Sequence, residues 1–388
     1  MSNTIVSWNN TALDVLKAAR TRPPEASRAM AMVHVAMHEA VIAATHATAI
    51  RSNQKAAACS VAAHAVLRHL FPGQSEMLDA RLDSMVPKLL TCSFEDLGLT
   101  LGEQAGKTVL QWRERDHSEE SVPYVPEDRP GAWRPTPPGY ENAHAPHWPM
   151  VTPFSMSSGS QFRSAGYPAL ASRDYALALN KTKRLGAKNS EFRTDDQTEI
   201  AQFWSDGAGT VILWNLVAQQ AASSEEISLP DTARVFALLN TAIADAVIAA
   251  WDDKYHFNLW RPVTAIREAD TDGNPLTEAE PGWEPLCPTT PEAEHTSAHC
   301  TVSGAASRLL ELFFERDDVP FVLTSVESPQ ITRLFRSFSE AASEAVDSRV
   351  YAGLHFEFST TTGLDKGRRI AEHVWQHGWR IPPEVLAC

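Results

Sequence analysis

The chain has 388 residues, 43% hydrophobic and 21% charged, with a formal net charge of -14, enough for one large or two medium globular domains with a substantial core. The negative balance excludes a general nucleic-acid or anionic-membrane binder, either of which needs a basic face. It also makes any regularly spaced group of cations informative, because an anion site here must be a local cationic island.

The N-terminus, MSNTIVSWNN, has no basic stretch followed by an apolar one. The most apolar run, Ala29 to Ala44, is short and interrupted by His34, His38 and Glu39. Neither a secretory leader nor a membrane span is expected, which predicts a cytoplasmic protein. The five cysteines, Cys59, Cys92, Cys287, Cys300 and Cys388, are odd in number and form no CxxC pair. They read as free thiols rather than a disulfide framework or a zinc site.

Residues 26–45 predict a helix apolar over most of its circumference, hence buried, and similar periodicity recurs at 56–70, 77–90 and 97–114. From Ser121 to Pro168 prolines are too dense for helix or central strand. The aromatics among them, Tyr124, Trp133, Tyr140, Trp148 and Phe154, predict an ordered loop across the surface. Helical patterning resumes at 172–181, 195–222, 231–252, 300–316, 329–347 and 364–378. No strand alternation stands out, so the chain reads as all-α.

An internal repeat predicts two packed helical bundles. Residues 28–44, RAMAMVHVAMHEAVIAA, align without gaps to 234–250, RVFALLNTAIADAVIAA, as a duplicated bundle would. The expected division is an N-terminal bundle over 1–120, the Pro-rich connection over 121–170 and a C-terminal bundle over 171–388, with packing as one compact unit allowed. After the shared AVIAA the copies diverge: the second continues WDDKYHFNLWRP, and the first has Thr48 where the second has Lys254. The anion site is therefore expected in the second half.

Three clusters there carry chemistry. Lys254 and Arg261 stand nearly two helical turns apart, so a continuous helix would put both on one face. Pro262 disfavours helix at Arg261 and sets it near the helix end. A guanidinium there can fork onto an oxyanion while the ammonium adds a point charge. Ser297 occupies an N-cap position, so the N–H groups after it would face an anion. His299 in the following turn is placed to serve as acid or base. Finally, Gly353 can end a helix and turn His355 back toward Arg349.

Together the clusters resemble the signature of the vanadium-dependent haloperoxidases and the related type 2 phosphatidic acid phosphatases: K-x6-R-P, then P-S-G-H, then S-R-x5-H. Here these are Lys254 to Pro262, Thr296 to His299 and Ser348 to His355. The likeness to bacterial haloperoxidase homologues extends to WNNTALDVLKAARTRPPEASRAMAMVHVAMHEAV, GAWRPTPPGYENAHAPHWPMVTPF and KYHFNLWRPVTAIR. It implies an all-α fold of two packed bundles with vanadate, or phosphate, in the C-terminal one. Lys254, Arg261 and Arg349 would neutralise the oxyanion with help from Ser297 and the N–H of Ala298. His355 would be the axial ligand of vanadium, His299 the acid–base group, and Trp251 part of the wall. The ion would act as a Lewis acid activating hydrogen peroxide toward halide.

Two departures stand out. Thr296 and Ala298 replace the usual Pro and Gly, and Glu292 falls where haloperoxidases commonly carry an aromatic or a histidine. A carboxylate there would compete for the pocket's cations and repel halide, and burial beside an anion would favour its protonated form. The expected partners are hydrogen peroxide, a halide and a small organic acceptor, with a homo-oligomer allowed and neither nucleic acid nor membrane involved. The competing readings are a soluble acid phosphatase forming a phospho-histidine, a divalent-metal protein using His34, His38 and Glu39 or His373 and His377, and a non-catalytic scaffold.

Overall fold

The computed structural model describes residues 3–47, 51–89, 97–205 and 209–386; Thr48, Cys92 and Cys388 lie outside them. Asn3 opens helix α1 (Thr4–Ala18) by accepting from the N–H of Ile5, and a Pro pair opens α2 (Pro23–His46), where the missing N–H groups have no helical partner to lose. Helices α3 (Ser52–Leu70), α4 (Ser75–Leu89) and α5 (Leu97–Arg113) complete the first half. The second half contains α6 (Arg173–Leu185), α7 (Asp195–Phe203), α8 (Gly209–Ser224), α9 (Leu229–Phe257), α10 (Pro262–Arg267), α11 (Ala298–Phe314), α12 (Phe338–Tyr351), α13 (Glu357–His377) and α14 (Pro383–Leu386).

The packing of the halves corresponds. Helix α2 packs on α3 and α5, and α3 on α4; α9 packs on α11 and α13, and α11 on α12; α2 and α9 lie against each other. One apolar cluster runs through both halves. The repeat also reaches upstream at the same offset, since Trp8–Asn9 of α1 matches Trp214–Asn215 of α8. His34 of α2 and Asn240 of α9 then occupy equivalent buried positions. His34 Nε2 meets Asn9 Oδ1 at 2.9 Å, and the Asn215 and Asn240 amides exchange two 2.9 Å hydrogen bonds. Each copy thus ties its two helices through a buried, hydrogen-bonded polar pair.

The Pro-rich segment is held across the surface by its backbone. The Asp245 carboxylate accepts from the N–H groups of Phe154, Ser155 and Met156 at 2.7, 2.9 and 2.9 Å, and Trp133 and Trp148 are buried. Helix α9 is long and apolar enough to cross a membrane, but 94% of its apolar window is buried in the protein.

Several elements differ from the sequence reading. Helices α1, α10 and α14 have no counterpart in it, and the helix expected over 195–222 is two, α7 and α8. The start of the helix expected over 329–347 is instead a strand of an antiparallel hairpin, β1 (Phe321–Thr324) with β2 (Thr332–Phe335), before α12 begins at Phe338. In β1 Phe321 and Leu323 are buried while Val322 and Thr324 are exposed, which is a strand's period of two.

Candidate active site

The three clusters converge at a cavity of about 820 Å³ lined by Trp251, Lys254, Glu292, Ala298, His299, Arg349 and His355. Lys254 lies in the last turn of α9 and is fully buried. The expected continuous helix to Arg261 is interrupted: α9 stops at Phe257, and Asn258 caps it in left-handed geometry at φ 51. Arg261 lies past that turn in extended backbone before Pro262. The intervening strand-like segment is gripped on both sides. Trp133 donates to the Asn258 carbonyl at 2.8 Å, Trp260 to that of Gly131 at 2.9 Å, and Glu294 to that of Leu259 at 2.9 Å.

Ser297 caps α11, and His355 directly precedes the cap of α13. The two helices cross closely because glycines line the contact: a Cβ on Gly367 would strike the Thr301 carbonyl, and one on Gly304 the Leu364 carbonyl. The crossing brings the two helix starts to one place. Gly353, at φ 77, turns the chain after α12, so that Leu354 and His355 both donate to the Arg349 carbonyl, at 3.1 and 3.3 Å.

The cations are buried but unequally committed. Lys254 donates to the carbonyls of Ala293 and Glu294 at 2.7 and 3.3 Å, and burial together with nearby Arg261 lowers its pKa. Arg261 uses every N–H it has. Nε donates to the Glu292 carbonyl (2.7 Å). Nη1 donates to the Leu354 carbonyl (3.1 Å) and faces His355 Nε2 (3.1 Å). Nη2 donates to Thr290 Oγ1 (2.8 Å) and Glu292 Oε1 (2.6 Å). By contrast, the buried Arg349 Nη2 and the buried Ser297 Oγ have no protein partner. Buried orphans of this kind are rare and call for a ligand or water.

His355 has its tautomer assigned by its neighbours. Arg261 has no lone pair, so it can only donate to Nε2, which must then be unprotonated. The proton sits on Nδ1, 3.0 Å from Glu294 Oε1. Burial, reinforced by Arg261, Lys254 and Arg349, lowers the pKa of His355 well below its ordinary value. The ring is therefore neutral, with the Nε2 lone pair turned toward the guanidinium.

Glu292 lines the cavity, and its protonation differs from the expectation. Burial favours the neutral acid, but Arg261 and Lys254 outweigh it and hold the pKa below the usual carboxylate value. An ionised Glu292 instead occupies Arg261 and also accepts from Thr290 Oγ1 at 2.6 Å.

Some contributors were not singled out in the sequence. Glu294, behind His355, is separated from it by 61 positions. Lys366 of α13 pairs with buried Asp253 beside Lys254, and Arg163 of the Pro-rich loop makes bonds of 2.7 and 2.8 Å to Asp252. His144, from the same loop, lines the cavity edge-on to Trp251, and burial lowers its pKa to about 4. Lys17, in the last turn of α1, and Arg20 and Arg22, between α1 and α2, also line this cavity. The first half therefore supplies wall although the clustered cations Lys254 and Arg349 come from the second.

The histidine pairs considered for a divalent metal are otherwise engaged. His34 is bonded to Asn9, and the His373 and His377 rings stack at 4.2 Å. Among the described residues no three His, Cys, Asp or Glu side chains converge to hold a metal.

Residues 234–381 match the family of the VCPO second helical-bundle domain. The vanadium chloroperoxidase of Curvularia inaequalis is 24% identical over 294 residues, 58% of this chain and 48% of that protein. The chain thus spans about half the length of the curated relative it matches. The crystal structure of a bacterial vanadium-dependent iodoperoxidase superposes with a TM-score of 0.81 over 96% of both chains, at 26% identity. A bacterial vanadium-dependent chloroperoxidase in its holo form gives 0.73 over 92% of both, at 18% identity, a likeness of fold.

Proposed function

We propose that this chain, a member of the vanadium-dependent haloperoxidase family, holds vanadate at His355 and oxidises halide with hydrogen peroxide. The observation that carries the reading is the pair of orphaned buried donors, Ser297 Oγ and Arg349 Nη2, in a site whose imidazole presents a lone pair. Hard oxyanion oxygens suit such donors, and an imidazole nitrogen suits the metal centre. Lys254, Arg261 and Arg349 would neutralise the oxygens, with Ser297 and the Ala298 N–H donating beside them. Bound vanadate supplies a Lewis acid that activates peroxide for attack by halide without changing its own oxidation state.

The residues' own tasks follow from their places. Arg261 must exchange its contact with His355 Nε2 for the oxyanion, which frees the lone pair at the same time. His299, in the first turn of α11 and lining the cavity, is placed to take and return a proton at an imidazole nitrogen. Trp251 walls the site, its ring 5.9 Å from Lys254 Nζ. A cavity of about 820 Å³ exceeds what a halide requires and falls in the range for small organic ligands, which supports an organic acceptor.

The test is bromide and iodide oxidation by hydrogen peroxide with and without added vanadate, run beside phosphomonoester hydrolysis. Vanadate-dependent halide oxidation is expected. Phosphate release without halide oxidation would replace this reading with an acid phosphatase acting through His355.

A further inference from the structure

We infer that Glu294 is the positioning residue of the site, fixing the orientation of His355 and holding its Nδ1–H. The inference deepens the proposed function and rests on it for the identity of the anion.

Glu294 is fully buried, an uncommon place for a carboxyl group without a specific task. Its Oε1 receives the Nδ1–H of His355 and the backbone N–H of Phe356, both at 3.0 Å. The Phe356 N–H donates to Oε1, and Arg261 donates to His355 Nε2, so Oε1 accepts the Nδ1–H. His355 must then place its proton on Nδ1 and its lone pair on Nε2, where a metal centre is bound. A histidine that donates its second nitrogen to a carboxylate is held in one ring orientation and made a better donor at the first.

The backbone of the same residue reaches the other two clusters. Its N–H donates to Leu259, in the segment that carries Arg261, and its carbonyl accepts from Lys254 Nζ. One residue therefore sets the Lys254 helix, the Arg261 segment and the His355 turn in register.

Two substitutions grade the acceptor. Glu294→Gln keeps an Oε1 that the Phe356 N–H holds as an acceptor, so the Nδ1–H of His355 should stay hydrogen-bonded, to a weaker partner. Glu294→Leu removes the acceptor. The reporters are the imidazole nitrogen shifts of histidine-labelled full-length protein, with His355 assigned by its absence in His355→Ala, and the vanadate affinity by titration. Expected are a hydrogen-bonded Nδ1–H with an affinity about 10-fold weaker for Glu294→Gln, and an Nδ1–H that has lost its hydrogen-bonded shift with a loss of about 100-fold for Glu294→Leu. Adding His355→Ala to either should bring no further loss beyond His355→Ala itself.

A His355 Nδ1–H that keeps its wild-type shift in Glu294→Leu overturns the inference, as does wild-type vanadate affinity in both variants. Should Glu294→Leu fail to fold, unchanged affinity and an unchanged Nδ1–H shift in Glu294→Gln overturn it alone. A wild-type protein that takes up no vanadate would instead count against the proposed function, while the nitrogen shifts still decide the role of Glu294.

Discussion

Replacing Glu292 by Gln should tighten anion binding while weakening the anion-free protein. Arg261 has no N–H to spare, so an arriving oxyanion shares its guanidinium with the Glu292 carboxylate. Two like charges about 6 Å apart at an effective dielectric near 20 repel by about 3 kcal/mol. Gln keeps the hydrogen-bonding shape and removes that repulsion. With part of the gain lost to rearrangement, vanadate and phosphate affinity should rise about 10- to 100-fold. The opposite effect appears without anion, because a buried guanidinium loses its counter-charge; the full loss of one partner costs about 3–5 kcal/mol, and the isosteric amide should bring this to about 1–3.

The pH dependence has a definite sign. The Glu292 pKa is depressed, so its stabilising pairing is present above the ordinary carboxylate value of 4.5 and is lost only as pH falls through the lower folded one. Variant and wild type should therefore differ in affinity by a constant factor from about pH 5 to pH 8. The assay is titration with phosphate and with vanadate, together with thermal unfolding at fixed ligand. Equal affinities at pH 7 would refute the reasoning, by showing that Arg261 does not share its charge with the anion.

The other predictions use separate handles. Arg349→Ala should weaken vanadate binding by about 2–4 kcal/mol, as for a lost preorganised charged donor, and His355→Ala should abolish tight binding; undiminished uptake by the latter would remove the assignment. His299→Ala should retain the anion and lose about 10²–10⁴ in turnover, and equal losses of both would make His299 a ligand or structural residue. His34, whose pKa burial lowers to about 3, withholds a proton that the unfolded chain accepts, so it contributes a loss of about 1.4 kcal/mol per pH unit on acidification below about 6.5. His34→Asn should flatten that loss in denaturant titrations at pH 6.5 and 4.5, and an unchanged slope would contradict the burial argument.

Much of this was legible in the residues. The period of 3.6 marked the long core helices because α2 and α9 bury nearly their whole surface, and proline density marked the connection. Helix α1 escaped because its polar Asn9 and Thr11 are buried, which obscures the apolar stripe. The hairpin escaped because four-residue strands offer too little alternation to outweigh the helical pattern of α12. The approach of His355 to Arg349 was recognisable from their spacing, since one local turn joins them. Glu294 gave no such signal: its meeting with His355 depends on how α11 and α13 cross. The ionised state of Glu292 likewise required its distance from Arg261, because burial alone predicts the opposite sign.

The paired halves have one more consequence. In a symmetric homodimer built from such bundles, every substitution would appear twice, and a change good for one site would be imposed on its twin. Joined in one chain, the twins can change separately. The second carries Asn240 where the first has His34, and it alone contributes Lys254, Arg261, Arg349 and His355. The first carries none of these, and its Lys17–Arg22 segment walls the cavity instead. On the proposed function, acceptor preference can drift through that segment while the clustered cations stay fixed.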